Sequence, residues 1–275
     1  MGALFRIRDL AIKALVRRQW AGLRGSSPRL AVVPHEHVGL AVLTNGLYER
    51  EELDCLSALV RKHRLGSGTC LDIGANIGNH AVIWSRLFEH VVCFEPNPHM
   101  VAVLRANLAL NECSNVRVVD AGLGTRDAEL PFSFHEAGND GTGTFARETG
   151  ERTLPVWHGD RLIAELGLEA AITFVKCDVE GFEQSVFEGL AQILTQARPV
   201  IAFESNSAEL GNQVWQLLQS FGYDRLYALQ HTAQDKPPFV REFVRLVRGH
   251  RCWLEQVDAA PTHAVNLVAT AKLPV

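Results

Sequence analysis

Leu71-Asp72-Ile73-Gly74-Ala75-Asn76-Ile77-Gly78 carries a short apolar run into two glycines and then, over residues 79–88, directly into helical spacing. Glycines at the end of a strand let the backbone turn sharply and approach a ligand, because a Cβ at either position would collide or forbid the required φ. A strand that ends this way and feeds a helix at once is the opening of a parallel sheet wrapped by helices. The alternation repeats downstream. Residues 91–94, 116–119, 172–177 and 199–203 read as further strands, and 98–110, 181–194 and 208–221 as the helices among them. Right-handed crossovers then produce a doubly wound α/β sheet whose ligand crevice lies at the carboxyl ends of the strands.

The residues at those ends are polar and specific. The glycine spacing is G-x-x-x-G, with Asn76 where a dinucleotide fold usually has its middle glycine. That substitution, with Asp72 just before the strand end, disfavours a pyrophosphate cradle and a nicotinamide-dependent oxidoreductase, and suits a cationic ligand group. Glu95 ends the second strand about twenty residues beyond the glycine loop, where a carboxylate can accept hydrogen bonds from both hydroxyls of a ribose. Asp120 and Ala121 end the third strand, where an adenine edge is met in this architecture. On the fourth strand, alternation puts Lys176, Asp178 and Glu180 on one side. Glu204 ends the fifth, and His80 stands in the first turn after the glycine loop.

The rest of the chain sets bounds. Its 275 residues are 47% hydrophobic and 21% charged, which is globular usage and excludes a disordered or fibrous protein. A net charge of -4 argues against coating nucleic acid through bulk positive charge. No apolar run reaches the roughly 18 to 20 residues needed to span a bilayer. The six cysteines have no C-x-x-C pair and no histidines at zinc-ligand spacing, so they read as reduced thiols of a cytoplasmic protein, Cys70, Cys93 and Cys177 within core strands. The His35-Glu36-His37 triplet lacks a third ligand, and no metal site is expected.

Residues 1–24 carry six basic side chains against the single acid Asp9, with apolar residues at spacings of three and four. They read as a basic amphipathic helix, either packed on the domain or in weak peripheral contact with an anionic membrane surface. Gly25-Ser26-Ser27-Pro28 reads as a linker. The division expected is therefore 1–40, helix and linker, and 41–275, a single α/β domain. A helix is expected over the leucine stripe of 51–64, and a second basic amphipathic helix over 237–248, placed to act as a lid.

LDIGANIGNHA (71–81), CFEPNPHMVAVLRANLALN (93–111), VKCDVEGFEQSVFEGL (175–190) and RPVIAFESN (198–206), in this order and spacing, resemble the FkbM family of S-adenosylmethionine-dependent methyltransferases. The resemblance runs from about residue 69 to 206, with 266–269 similar to the family's last strand, and K-x-D-x-E-G is its most specific mark. It implies a class I methyltransferase, Rossmann-like fold: a mostly parallel seven-stranded sheet with helices on both faces and an antiparallel last strand. It also implies S-adenosyl-L-methionine as cofactor, held by Asp72, Gly74, Asn76, Gly78, Glu95, Asp120 and Ala121, and methyl transfer mainly to hydroxyl oxygens. Asp178 is the expected base or acceptor-orienting acid, positioned by Glu180 and Glu204 with Lys176 balancing charge; His80 is the alternative base. The acceptor expected is a small molecule or glycan, such as a sugar, glycolipid or secondary metabolite. A nucleic-acid methyltransferase would carry an N-P-P-aromatic element where Asp178-Val179-Glu180-Gly181 stands. The chain departs from the family pattern at Ala121-Gly122-Leu123-Gly124 and at Trp157-His158-Gly159-Asp160, near the adenine and substrate sides. A catalytically silent adaptor that keeps the fold is the reading from another class.

Overall fold

The computed structural model describes residues 10, 13, 14, 17, 27–34, 36–136, 139–168, 172–232, 251–262 and 265–271. Its main sheet is built on β1 (Thr69–Ile73), all five residues of which are buried. β1 lies between two parallel neighbours, β2 (His90–Phe94) and β8 (Ile172–Cys177). Beyond them stand β3 (Val116–Val119) on one side and β9 (Val200–Ser205), β12 (Val265–Thr270), β10 (Arg225–His231) and β11 (Cys252–Val257) on the other. The order is β11-β10-β12-β9-β8-β1-β2-β3, and β12 runs antiparallel to both β9 and β10. This is the class I methyltransferase sheet with its inverted last strand, but with eight strands rather than the seven expected. The eighth is β11, whose residues pair with Leu226 to His231 of β10 in an antiparallel register. The basic segment expected as a helix over 237–248 lies outside the described residues.

Alternation along β1 sends Leu71 and Ile73 into one core layer, with Phe187 and Phe203, and Cys70 into the other, with Trp84 and Phe174. The helices that cover these layers start where the local chemistry dictates. α1 (His37–Asn45) stops at Gly46, whose φ of 81° ends the helix, and α2 (Arg50–Lys62) buries Leu53, Leu56, Leu59 and Val60 on its apolar stripe. α3 (Asn79–Trp84) follows the glycine loop. α4 (Pro98–Leu110) has Pro98 in its first turn and the Asn97 side chain accepting from the His99 amide at 3.1 Å. The helix expected over 181–194 is two helices, α6 (Glu183–Gly189) and α7 (Ala191–Gln196). Gly189 packs so close to the next layer that a Cβ there would lie 2.0 Å from the Gly124 carbonyl oxygen. Asp160 in α5 (Gly159–Glu165) accepts from the Gln192 and Ile193 amides at 2.8 and 3.0 Å, so it anchors the start of α7 and stands away from the substrate side. α8 (Ala208–Ser220) is capped by Ser207.

Two regions were not anticipated. Between β3 and β8 the chain builds a second sheet from β4 (Gly122–Gly124), β5 (Ala128–Glu136), β6 (Asn139–Thr144) and β7 (Arg152–His158), in the order β4-β7-β5-β6. At the other end, residues 29–31 are pinned to α4: Asn111 and Asn107 each exchange paired hydrogen bonds with the backbones of Arg29 and Ala31. Val42 of α1 packs on Ile77 and Met100. The boundary expected at residue 40 thus falls inside α1, and residues 29–34 ahead of it pack on the domain; of the expected linker, Gly25 and Ser26 lie outside the described residues. Of residues 1–24, Leu10, Lys13, Ala14 and Arg17 are helical and exposed; the rest of that amphipathic helix lies outside the described residues, as does His35.

Candidate active site

The carboxyl ends of β1, β2, β8 and β9 open into a cleft. Its floor is the glycine loop. Gly74 has φ of 79°, and a Cβ on it would lie 1.8 Å from the carbonyl oxygen of Asp178 on the neighbouring strand. Only glycine satisfies both conditions. Gly78, at φ 82°, is held against Leu104 of α4, and Asn76 between them also occupies the left-handed region, at φ 49°.

Glu95 closes one end of this floor. Its Oε2 accepts from the Asn76 amide at 2.8 Å and its Oε1 from the Asn97 amide at 2.9 Å. Each oxygen keeps a further acceptor direction. Burial is the larger influence on this carboxyl, outweighing the two amides and pushing it up to about 7.

Opposite stands the charged cluster. Lys176, buried on β8, donates from Nζ to Asp178 Oδ2 at 2.9 Å. Burial alone would favour a neutral amine, but Asp178 and Asp72 outweigh it and hold the ammonium protonated. Burial likewise works against the Asp178 carboxylate, yet Lys176, a hydrogen bond with Glu204 and His80 together hold it well below the usual range. Glu204 is driven the other way by burial, by the charge of Asp178 and by that same hydrogen bond. One proton therefore resides on Glu204 and is donated to an ionised Asp178. Glu180, at φ 55°, accepts from Asn206 Nδ2 at 3.2 Å. Among the described residues, Asp178, Glu180 and Glu204 form a group of acids whose oxygens lie within 4.8 Å of one another. The turn that carries them is tied by Glu183 Oε1, which accepts from the Val179 and Gly181 amides at 3.2 and 3.1 Å.

Two walls come from outside the strand ends. The elbow between α1 and α2 brings Tyr48 into the cleft, fixed by reciprocal hydrogen bonds of Asn79 with the Tyr48 backbone at 3.0 and 2.9 Å. Tyr48 is hydrogen-bonded to Glu49, and its hydroxyl is pushed upward by burial first and then by Glu49, Asp178 and Glu204. Glu49 Oε2 in turn lies 3.4 Å from Nε2 of His80, whose ring stacks on Trp84. Across the cleft, Phe132 of β5, Phe145 just past the end of β6 and Phe182 make an aromatic wall with ring centroids 5.0 and 5.6 Å apart.

Of the residues singled out in the sequence, Gly74, Asn76, His80, Glu95, Lys176, Asp178, Glu180 and Glu204 line the cleft. Gly78 shapes the loop from beneath. Asp72 does not reach the surface: it is fully buried beside Lys176 on the adjacent strand, and neither carboxylate oxygen has a hydrogen-bond partner. Burial pushes its carboxyl up, against the pull of Lys176 and His80. It does not line the cleft, and it acts there through its charge, which favours the Lys176 ammonium and disfavours the Glu95 carboxylate. Asp120 is exposed and engaged by Arg105 through two hydrogen bonds of 2.9 and 2.7 Å, and Ala121 is buried; the next residues, Gly122 and Leu123, line the cleft instead. Tyr48, Glu49 and the aromatic wall were missed. The one signal for Tyr48 was the Asn45-Gly46 helix stop, which marks a corner where functional side chains tend to sit.

The model of the methyltransferase FkbM domain matches residues 72–225, more than half of the chain. The chain belongs to the FkbM methyltransferase family. Among curated relatives, this FkbM-family chain is 33% identical over 130 residues to the hexuronic acid methyltransferase AglP of Haloferax volcanii, covering 47% of this chain and 53% of that one. It is 25% identical over 142 residues to methyltransferase 1 of Beauveria bassiana, covering 44% and 57%. The chain thus spans about half the length of the curated relatives it matches. Similar solved structures include an FkbM methyltransferase from Methylobacillus flagellatus KT (18% identity, TM-score 0.46, covering 74% of this chain and 44% of that one). A second is a precorrin-6y C5,15-methyltransferase from Geobacter metallireducens GS-15 (15% identity, TM-score 0.48, covering 88% and 93%).

Proposed function

We propose that this family member transfers the methyl group of S-adenosyl-L-methionine to a hydroxyl oxygen of a sugar or glycolipid. The observation that carries the reading is the placement, in one cleft, of a two-amide Glu95 clamp at the end of β2 and an ionised Asp178 at the end of β8, across a loop whose Gly74 tolerates no Cβ. The donor fits these residues: Glu95 offers acceptor positions to two ribose hydroxyls, and the glycine loop leaves room for close approach of the chain that bears the sulfonium. When bound, S-adenosyl-L-methionine supplies an electrophilic methyl for in-line displacement.

The protein's part is to orient an acceptor oxygen about 3 Å from that methyl and to take its proton. Asp178, held ionised by Lys176 and by the Glu204 proton, is a poor base but a strong acceptor, so it orients the hydroxyl. Proton removal falls to His80, whose Nε2 is backed by Glu49. A carbohydrate acceptor is supported by the 33% identical relative being a hexuronic acid methyltransferase and by the density of carboxylates lining the cleft with the aromatic wall. Calorimetry with S-adenosylhomocysteine tests the donor half, and radiolabelled methyl transfer to a panel of neutral hexosides and hexuronates tests the acceptor half. Absence of donor binding would leave the adaptor reading, and binding of NAD in its place would restore the oxidoreductase.

A further inference from the structure

The edge of the main sheet away from the cleft brings two cysteines together. Cys252 opens β11 and stands opposite His231 of β10 in the antiparallel register. His231 Nε2 lies 2.9 Å from Glu52 Oε1 on α2, and Asn266 of β12 donates to the other oxygen of the same carboxylate. Cys55 lies three residues beyond Glu52, on the same face of α2. The helix is thereby clamped over the start of β11, and the His231–Glu52 contact brings Cys55, one turn along the helix, beside Cys252. Both are partly exposed, whereas Cys70, Cys93 and Cys177 are sealed in the core.

We infer that Cys55 and Cys252 are an oxidisable thiol pair, which a small-molecule disulfide such as glutathione disulfide closes into an intramolecular bridge between α2 and the edge strand β11. The chemistry balances without a further reagent. The Cys55 thiolate attacks one sulfur of glutathione disulfide, releasing one glutathione and leaving a mixed disulfide. The Cys252 thiolate then attacks the Cys55 sulfur and displaces the second glutathione. Two protein thiols and one glutathione disulfide become one protein disulfide and two glutathione molecules. Cys55 is the better first nucleophile: the hydrogen bond from Cys252 and the nearby His231 favour its thiolate against burial and Glu52, while burial pushes the three core thiols up. Because α2 starts at the elbow bearing Tyr48 and Glu49, the bridge ties one supporting element of the cleft to the far edge of the sheet.

The test is incubation of the native full chain with glutathione disulfide, thiol counting in denaturant, and peptide mapping without reductant. The wild type should fall from six thiols to four, with a Cys55–Cys252 cross-linked peptide and no retained glutathione. Cys252→Ser should keep one glutathione on Cys55, and Cys55→Ser should lose no thiol on the same timescale. Six thiols remaining in the wild type, a cross-link through any other cysteine, or glutathione left on wild-type Cys55 would each overturn the pairing. The wild-type map decides the matter even if a serine variant folds poorly.

Discussion

Glu95 gives the donor site a pH signature that can be worked out from its surroundings. The carboxyl lies at about 7, raised from 4.5 by burial that its two backbone amides only partly oppose. Ribose hydroxyls donate to the ionised form, so donor binding should select the carboxylate and release a proton wherever the free protein still carries one. With a free-state value near 7, the ionised fraction rises from about one tenth to about nine tenths over a window of one unit either side, a tenfold change worth about 1.4 kcal/mol. The affinity for S-adenosylhomocysteine should therefore strengthen about tenfold between roughly pH 6 and pH 8. Calorimetry in buffers of different ionisation enthalpy should show proton release at the acid end that fades above neutrality. Without ligand the sign reverses. The folded chain holds this proton more tightly than the unfolded one, so the fold loses stability as pH rises from 4.5 through about 7, by up to about 3 kcal/mol from this group. Glu95→Gln should abolish both slopes. A pH-independent affinity in the wild type, or an unchanged slope in Glu95→Gln, would refute the assignment of Glu95 to the ribose.

Three further perturbations probe the rest of the site. Gly74→Ala forces a side chain onto φ 79° with its Cβ 1.8 Å from the Asp178 carbonyl, so it should cost more than about 3 kcal/mol in urea unfolding and abolish donor binding. Lys176→Met strands the Asp178 and Asp72 carboxylates without their cation and should destabilise by about 3 to 5 kcal/mol, read from the shift in denaturation midpoint. His80→Asn should cut methyl transfer by about 10² to 10⁴ while leaving S-adenosylhomocysteine affinity within a few-fold; full activity would move the proton acceptor elsewhere.

The parallel half of the fold was legible because its strands are short apolar runs with punctuated ends. Thr69–Ile73, Val116–Val119 and Ile172–Cys177 match the sequence reading, and Pro98–Leu110 was marked at both ends by its proline and its periodicity. The second sheet was not legible. Its strands contain Pro131 and Pro155 and several glycines, and their burial depends on packing against Phe145 and Phe182, which no local period reports. β11 shows the same limit. It is an edge strand of alternating partly buried and exposed residues, too weakly apolar to stand out before its pairing with β10 is known.

The site divides along the same line, for a physical reason. Residues that line this cleft from the main sheet stand at strand ends and at a turn that needs glycine, so Gly74, Glu95 and Asp178 were visible as charges and glycines interrupting apolar runs. Asp72 and Asp120 carry the same signal and take other positions, because strand alternation and the Arg105 contact decide what faces the cleft and neither is readable from residue type. The acceptor side is assembled from chain segments far apart in sequence. Tyr48 and Glu49 precede the family-matched residues altogether, Phe132 lies in β5 of the second sheet, and Phe145 lies just past β6. On the proposed function the ends of β1, β2 and β8 face the donor and the elbow and inserted sheet face the acceptor, so exchanging those two additions is expected to change the acceptor while donor affinity, read by calorimetry, stays in place.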